Sequence, residues 1–471
     1  MYQQKQLRLF TLIMISLTAV FSINHISVMA TIGAQSIVFL GGAAILFFIP
    51  SALVSAELGG MMTSNNGGLY TWVSRAFGQN AGLVAIWMEW FNNVIGYPAT
   101  LAGTIATFAY LGFPNLTNNH NILFVAMVIL FWGISFFNCL SIGKVTILNI
   151  VGGLFGMLLP GVILIVCGIY GFFYMPNNLQ ISNSSDWIPA LNFATFALFV
   201  KTLNSYSGIQ SAAFHTRNVR NAKRNIPLSM TITVVIIFSV VTLATLSLSS
   251  IVPQDQLNVM SGMIQGISIV LNKVNLGYLA PIITICICVG IVTQTSTWVL
   301  GPARAMQEVA ADGLVPKYLA RKNNSGMPVA VLMTQGIIGS FLSLVFLFLP
   351  TIQEAFAMII ALTAQFSVMM WVMIFVSAIK LRYSEPESER PFRVGGKSNF
   401  LLILCASFGI ISCACGFFLG LFPPKFSLVQ NPASYCLLMI IADVIIIIVP
   451  FLYIWFKKKS VTNKAAVVNK I

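Results

Sequence analysis

One carboxylate sits where a bilayer would make it costly. Glu89 lies in the run Ile86-Trp87-Met88-Glu89-Trp90-Phe91-Asn92-Asn93, inside a long apolar stretch. An ionised side chain at that depth costs about 2.5–3.5 kcal/mol on insertion scales, which makes a functional role the default reading. It would bind a substrate ammonium or exchange a proton; the structural alternative is a carboxylate near an interface, paired with a base. Asn93 shares its helical face four residues on, and Tyr97 follows a turn later. A second group of polar residues is Ser22-Ile23-Asn24-His25-Ile26-Ser27. An imidazole there titrates near physiological pH, or stays neutral and bonds a freed backbone carbonyl. A third group is Asn204-Ser205-Tyr206-Ser207-Gly208-Ile209-Gln210, with Lys201 just ahead of it. Lys201 either snorkels outward or faces a cavity as a fixed cation that pairs with Glu89 or stands in for a coupling ion. Gln294 and Trp298 complete the set: an uncharged donor and acceptor, and an aromatic wall. Their structural alternatives are interhelical hydrogen bonding and packing.

The elements that carry these residues are membrane helices. Of 471 residues, 58% are hydrophobic and 8% charged, and the mean hydropathy is +0.89. A soluble domain carries about 25% charged residues. Apolar segments run at 9–33, 36–60, 81–112, 121–141, 146–174, 189–216, 228–251, 276–305, 328–349, 352–380, 399–422 and 433–456, most of them long enough to cross a hydrocarbon core. Polar linkers separate them, Tyr174 to Trp187 and Pro253 to Asn275 outside, Arg217 to Pro227 and Arg382 to Ser398 inside. Net charge is +14, yet no polyanion is needed to explain it. All 25 Lys and Arg except Lys201, Lys273 and Lys425 fall at the N-terminus, in alternate loops or in the C-terminal tail. That asymmetry puts both termini in the cytoplasm and removes nucleic acid as a partner. The eight cysteines sit in apolar runs, so neither a disulfide framework nor a metal site is expected. The first apolar run reads as a membrane helix, not a cleaved signal.

Two segments break the helical pattern in matching ways, at 22–27 and 204–210, five segments apart. Interrupted helices at corresponding positions of two halves are the best sequence pointer to a midplane substrate site. Unpaired backbone at that depth is tolerated only where it lines a cavity. Glu57, at the inner end of the second segment, reads as structural and as a partner for Arg75.

Four motifs carry a family resemblance. They are Ala56-Glu57-Leu58 with Gly67-Gly68-Leu69-Tyr70-Thr71-Trp72-Val73; Ser205-Tyr206-Ser207-Gly208 with His215 and the run Asn221 to Pro227; Trp298-Val299-Leu300-Gly301-Pro302-Ala303-Arg304-Ala305-Met306; and Arg390-Pro391-Phe392-Arg393-Val394-Gly395-Gly396. In order and spacing the chain resembles the amino acid/polyamine/organocation (APC) superfamily, and within it the bacterial glutamate/GABA antiporters. The resemblance implies an all-α membrane protein of about 12 transmembrane helices. Two inverted five-helix repeats, about 9–174 and 189–381, have broken helices 1 and 6, followed by two extra helices at 399–457 and a cytoplasmic tail, 458–471. It also implies multi-pass residence in a bacterial inner membrane and alternating access to a central amino acid site.

On that reading the substrate-binding residues are Asn24, His25, Ser27, Glu89, Asn93, Ser205, Tyr206, Ser207, Gly208, Gln210, Gln294 and Trp298. Candidates for proton coupling are Glu89, His25 and Lys201. No cofactor is expected. Family members that handle glutamate carry acidic groups where this chain reads His25, Gln210 and Gln294, and a neutral or amide-bearing amino acid is therefore expected. Glutamate/GABA exchange, polyamine transport and a non-transporting amino acid sensor are the alternatives. No phosphate-binding loop occurs, and no metal-spaced Asp or His cluster suggests a membrane enzyme.

Overall fold

The structure is a computed structural model that describes residues 7–62, 68–179, 187–189, 199, 202–211, 219–349, 351–423 and 432–468, the side chains of 142 and 458–468 excepted. No strand occurs among the described residues. One isolated bridge joins Leu7 to Val219, where the Arg220 N–H donates to the Leu7 carbonyl at 2.9 Å.

The chain opens with α1 (Leu9–Val20) and α2 (Ile23–Ala30), which meet at 45° across a two-residue break. There follow α3 (Gly33–Met61), α4 (Leu69–Phe77), α5 (Gln79–Ala109), α6 (His120–Asn138) and α7 (Gly143–Tyr174). The second half holds α8 (Ala222–Ile251), α9 (Gly262–Lys273), α10 (Gly277–Ala311), α11 (Val329–Phe348), α12 (Ile352–Ser384), α13 (Phe400–Leu419) and α14 (Pro432–Val468). Among the described residues nine helices are long and apolar enough to cross a membrane, ten when the bent pair counts as one span. α5 is not one of the nine, although its 31 residues reach about 46 Å at 1.5 Å per residue. Glu89, Asn92 and Asn93 lower its hydropathy.

Two helices lie outside the twelve apolar segments. α9 buries Met263, Ile264, Ile267, Val270 and Leu271, a spacing that closes one apolar face. α4 likewise buries Leu69, Tyr70, Trp72, Val73 and Ala76. Both are amphipathic rather than apolar throughout, so neither stands out in a hydropathy reading.

A second correction concerns Glu57. Its partners are Arg382 and Arg390, not Arg75. Arg382 Nε donates to Glu57 Oε1 at 3.0 Å, and its Nη2 donates to Oε2. Arg390 Nε lies 3.3 Å from Oε1, and the Val394 N–H donates to Oε2 at 2.8 Å. This is what the Arg-Pro-Phe-Arg-Val-Gly-Gly run does: it wraps the end of α12 around one buried carboxylate from α3. Arg75 instead clasps Glu385 through two bonds of 3.0 and 2.6 Å. That hydrogen bonding holds the Glu385 carboxyl below its ordinary value. The bridge therefore contributes above the unfolded value and is lost as pH falls through the folded one.

Membrane helices pack through small residues that let backbones approach. α7 and α10 cross at Gly156 and Gly290, where a Cβ built on Gly156 would lie 2.4 Å from Gly290 Cα. Gly290→Ala is expected to force the crossing apart and to cost about 1–3 kcal/mol, the usual penalty of overpacking. Thermal unfolding of the purified protein in detergent measures it; an unshifted midpoint would mean that the crossing yields freely.

Candidate functional site

The break between α1 and α2 follows from two extended residues, Phe21 (φ −68°, ψ 109°) and Ser22 (φ −116°, ψ 116°). Extended backbone inside a helix strands carbonyls on one side and N–H groups on the other. The stranded carbonyls are met from α10. Trp298 Nε1 donates to the Ala19 carbonyl at 3.1 Å, and Gln294 Nε2 donates to that of Phe21 at 2.8 Å. The side chain of Ser22 does not cap the first N–H groups of α2. They carry the positive end of a helix dipole and suit a carboxylate.

The described part of the sixth segment bends in the same region. Residues 202–205 are helical, 206–208 form a turn and 209–211 a single 3₁₀ turn. Gly208 has φ +118°, a conformation glycine takes without penalty. A Cβ there would meet Trp298 Cζ2 at 2.9 Å and the Ala19 carbonyl oxygen at 3.0 Å. α12 holds the turn from the other side: Trp371 Nε1 donates to Ser207 Oγ at 3.1 Å, and Ser207 Oγ lies 2.9 Å from Ser367 Oγ.

Between these elements lies a cavity of about 130 Å³. Its wall is formed by Ala19, Val20, Ser22, Asn24 and His25 from the broken span and Asn92, Asn93, Gly96, Tyr97, Ala99 and Thr100 from α5. Asn204 and Ser207 come from the sixth segment, Gln294, Thr295 and Trp298 from α10, and Ile360 and Thr363 from α12. Among the described residues, no Asp, Glu, Lys or Arg is in that wall. An engineered apolar cavity of about 150 Å³ admits benzene, so the space suits one small polar molecule.

Of the residues expected from sequence, Asn24, His25, Asn93, Ser207, Gln294 and Trp298 line this cavity. The others lie around it. Glu89 is buried one turn before Asn93, whose Nδ2 donates to the Glu89 backbone carbonyl at 2.7 Å. Glu89 Oε1 accepts from Gln210 Nε2 at 3.2 Å, and Gln210 Oε1 accepts from the Gly208 N–H at 3.0 Å. Glu89 Oε2 is buried with no hydrogen-bond partner among the described residues. Tyr206 stacks on Phe48, ring centroids 4.5 Å apart, and donates to the Leu40 carbonyl at 3.3 Å; its ring faces α3. Ser27 packs toward α9, where a Cβ on Gly262 would come 2.9 Å from its Oγ. Ser205 is buried in the helical turn before the bend. Lys201, His215 and Asn218 lie outside the described residues.

Several wall residues escape a motif reading. Gly96 and Thr100 continue the face of Asn93 at three- and four-residue steps, a periodicity that identifies them once α5 is known to line the site. Thr295 adjoins Gln294 and is equally legible. Thr363 carries no local signal, since it is one hydroxyl in an apolar helix and only the packing of α12 brings it to the cavity.

Nearly the whole chain matches a family model. Residues 7–451 fit the amino acid permease family. An uncharacterised transporter of Legionella pneumophila is 34% identical over 453 residues, covering 96% of this chain and 97% of that protein. A glutamate/gamma-aminobutyrate antiporter of Lactococcus lactis subsp. lactis is 28% identical over 456 residues, covering 95% of this chain and 90% of the relative. Its counterpart in the subspecies cremoris gives the same identity and coverage. The four motifs thus mark a real kinship, and the protein is a multi-pass transporter rather than an enzyme. With a match that runs from before α1 into α14, this chain belongs to the amino acid permease family.

Proposed function

We propose that the protein is a secondary carrier of neutral or amide-bearing amino acids, working by alternating access as an antiporter or a proton-coupled carrier. The observation that carries this reading is a small polar cavity at the α1–α2 break whose wall, among the described residues, has no charged Asp, Glu, Lys or Arg side chain. The uncapped N–H groups of α2 suit the substrate carboxylate. The amides and hydroxyls of Asn24, Asn92, Asn93, Gln294, Thr295 and Thr363 suit an ammonium and an uncharged polar side chain. A second carboxylate, as in glutamate, would find no lysine or arginine among the described residues of the wall. Ser205, Tyr206, Gly208, Gln210, Ser27 and Glu89 act behind the wall in this scheme. The architecture that goes with it is twelve spans, repeats of about 9–174 and 189–381 related by inversion, and both termini on the cytoplasmic side of a bacterial inner membrane, as the basic loops suggest.

The deciding test is an exchange screen in proteoliposomes against the standard amino acids, GABA and polyamines, with and without a pH gradient. Exchange of glutamine, asparagine or a small neutral amino acid is the expected result. Strict glutamate/GABA exchange, the activity in the name of the Lactococcus relatives, would overturn the substrate preference. Binding without exchange or accumulation of anything would overturn the carrier reading.

Glu89→Gln keeps the side chain's size and its capacity to accept from Gln210. It is expected to flatten the pH–rate profile and to slow exchange roughly tenfold, the low end of what a charged hydrogen-bond partner contributes once its charge is removed. Membrane insertion stays intact. A variant with the parental profile would remove Glu89 from the mechanism.

A further inference from the structure

The hydroxyls around the cavity divide by what they have left to offer it. Tyr97, Thr100, Thr295 and Thr363 each spend their proton on a backbone carbonyl, those of Trp298, Gly96, Ile291 and Ile360, at 2.8–3.2 Å. What remains to them is lone pairs, so toward a ligand they accept. Ser207 is different. Trp371 Nε1 donates to Ser207 Oγ at 3.1 Å, and Ser367 Oγ lies 2.9 Å from the same oxygen. An indole nitrogen only donates, whereas a hydroxyl has one proton and two lone pairs. Trp371 therefore takes one lone pair of Ser207, and the direction of the Ser207–Ser367 bond decides the rest.

That direction follows from the supply of acceptors. Ser367 is 1% exposed and Trp371 has no exposed surface, so neither turns to water. Among the described residues the partner of the Ser367 hydroxyl is Ser207. Were Ser207 the donor, the Ser367 proton would be buried without an acceptor, an uncompensated loss. With Ser367 as the donor, both buried protons of α12 are met. Both lone pairs of Ser207 are then filled, and its own proton is left over. Ser207 is half-buried and lines the cavity, so that proton has the cavity to point into. Phe47 packs edge-on against the Trp371 indole, ring centroids 5.4 Å apart, and holds it in place. The trio makes Ser207 a donor.

Thr363 stands one turn before Ser367 on α12, and it too lines the cavity. Residues four apart on a helix have Cβ atoms about 5–6 Å apart. A donor beside one of them and an acceptor on the other match a planar carboxamide, whose oxygen and N–H₂ group lie side by side. We propose that Ser207 and Thr363 read the side-chain carboxamide of glutamine or asparagine. Ser207 donates to its oxygen, Thr363 accepts from its N–H₂ group, and Trp371 and Ser367 are positioning residues that fix the polarity of Ser207. This rests on the carrier site proposed above and names its substrate class. An aliphatic side chain leaves both groups unmet, an ammonium offers Ser207 no acceptor, and a carboxylate offers Thr363 no donor.

The test measures binding of L-glutamine and L-asparagine to the purified full-length protein by calorimetry. Each is compared with its hydrocarbon isostere, L-homoleucine and L-leucine. The parental protein should prefer an amide to its isostere by about tenfold. Ser207→Ala and Thr363→Val should each cut that ratio by about fivefold and leave isostere binding within about twofold. Trp371→Phe and Ser367→Ala keep the Ser207 hydroxyl but free one of its lone pairs, so the ratio should fall by about two- to threefold. A loosened cavity would weaken amide and isostere together, which separates positioning from packing. Equal binding of amide and isostere by the parental protein, or a ratio unmoved in Ser207→Ala, overturns the proposal and leaves the carrier site standing. Should Ser207→Ala not survive purification, a ratio unmoved in both Thr363→Val and Trp371→Phe overturns it equally. Binding of neither amide nor isostere would sink the carrier site itself.

Discussion

Arg382→Ala is expected to destabilise the protein by about 3–5 kcal/mol, the cost of leaving a buried charge without its partner. Arg382 has no exposed side-chain surface, and Glu57 only 4%. Arg382 supplies two of the bonds that hold the Glu57 carboxylate, and it also donates to the Val394 carbonyl at 3.2 Å and to Asn399 Oδ1 at 3.3 Å. Arg390 alone, at 3.3 Å through a single nitrogen, does not replace that fork. Arg382→Lys should recover only part of the loss, because a point charge cannot match a planar bidentate contact. The double variant Glu57→Gln/Arg382→Met removes both charges together and should be markedly more stable than Arg382→Ala. Unfolding midpoints in detergent rank the four proteins. A single variant that unfolds like the parent would mean that Glu57 gains its stability from Arg390 and the Val394 N–H.

Gly208→Val should abolish exchange while the protein still reaches the membrane. Two penalties add at this residue. A β-branched side chain at φ +118° is strained by about 1–3 kcal/mol. Its Cβ would also press on Trp298 Cζ2 and on the Ala19 carbonyl at about 3 Å, the very carbonyl that Trp298 Nε1 holds. The bend of the sixth segment and the end of α1 would be pushed apart, and the cavity wall with them. A loss of at least a hundredfold in exchange is expected, about 2.7 kcal/mol, with Gly208→Ala intermediate. Initial rates normalised to surface-labelled protein measure it. Near-parental exchange by Gly208→Val would show that the close approach of these elements is not needed for turnover.

Much of this site is written in residue types. The break in the first span is legible because Ser22, Asn24 and His25 interrupt an apolar run, and backbone freed at that depth must line something polar. Glu89 is legible for a similar reason, since a carboxylate in hydrocarbon is too costly to be incidental. The four motifs are enough to identify the family. The partner of Glu57 is not legible: three arginines are compatible with it by charge, and only the fold of the 385–399 loop selects Arg382 and Arg390 over Arg75. The role of Tyr206 is hidden in the same way. Its aromatic ring next to Ser207 reads as a site wall, but the turn at 206–208 sends it to stack on Phe48. The caps on the broken helix are half legible. Gln294 and Trp298 stand out as polar and aromatic residues four apart, yet nothing local says that both donate to carbonyls of a helix far off in sequence. α4 and α9 escape because a helix buried on one side only does not raise average hydropathy.

The bridge between Leu7 and Val219 acts as a tether at the foot of the molecule. It joins the chain just ahead of α1 to the chain just ahead of α8 through the Arg220 N–H, a donor that substitution by proline alone would remove. Parting the start of α1 from the root of α8 therefore costs this one bond, about 0.5–1.5 kcal/mol.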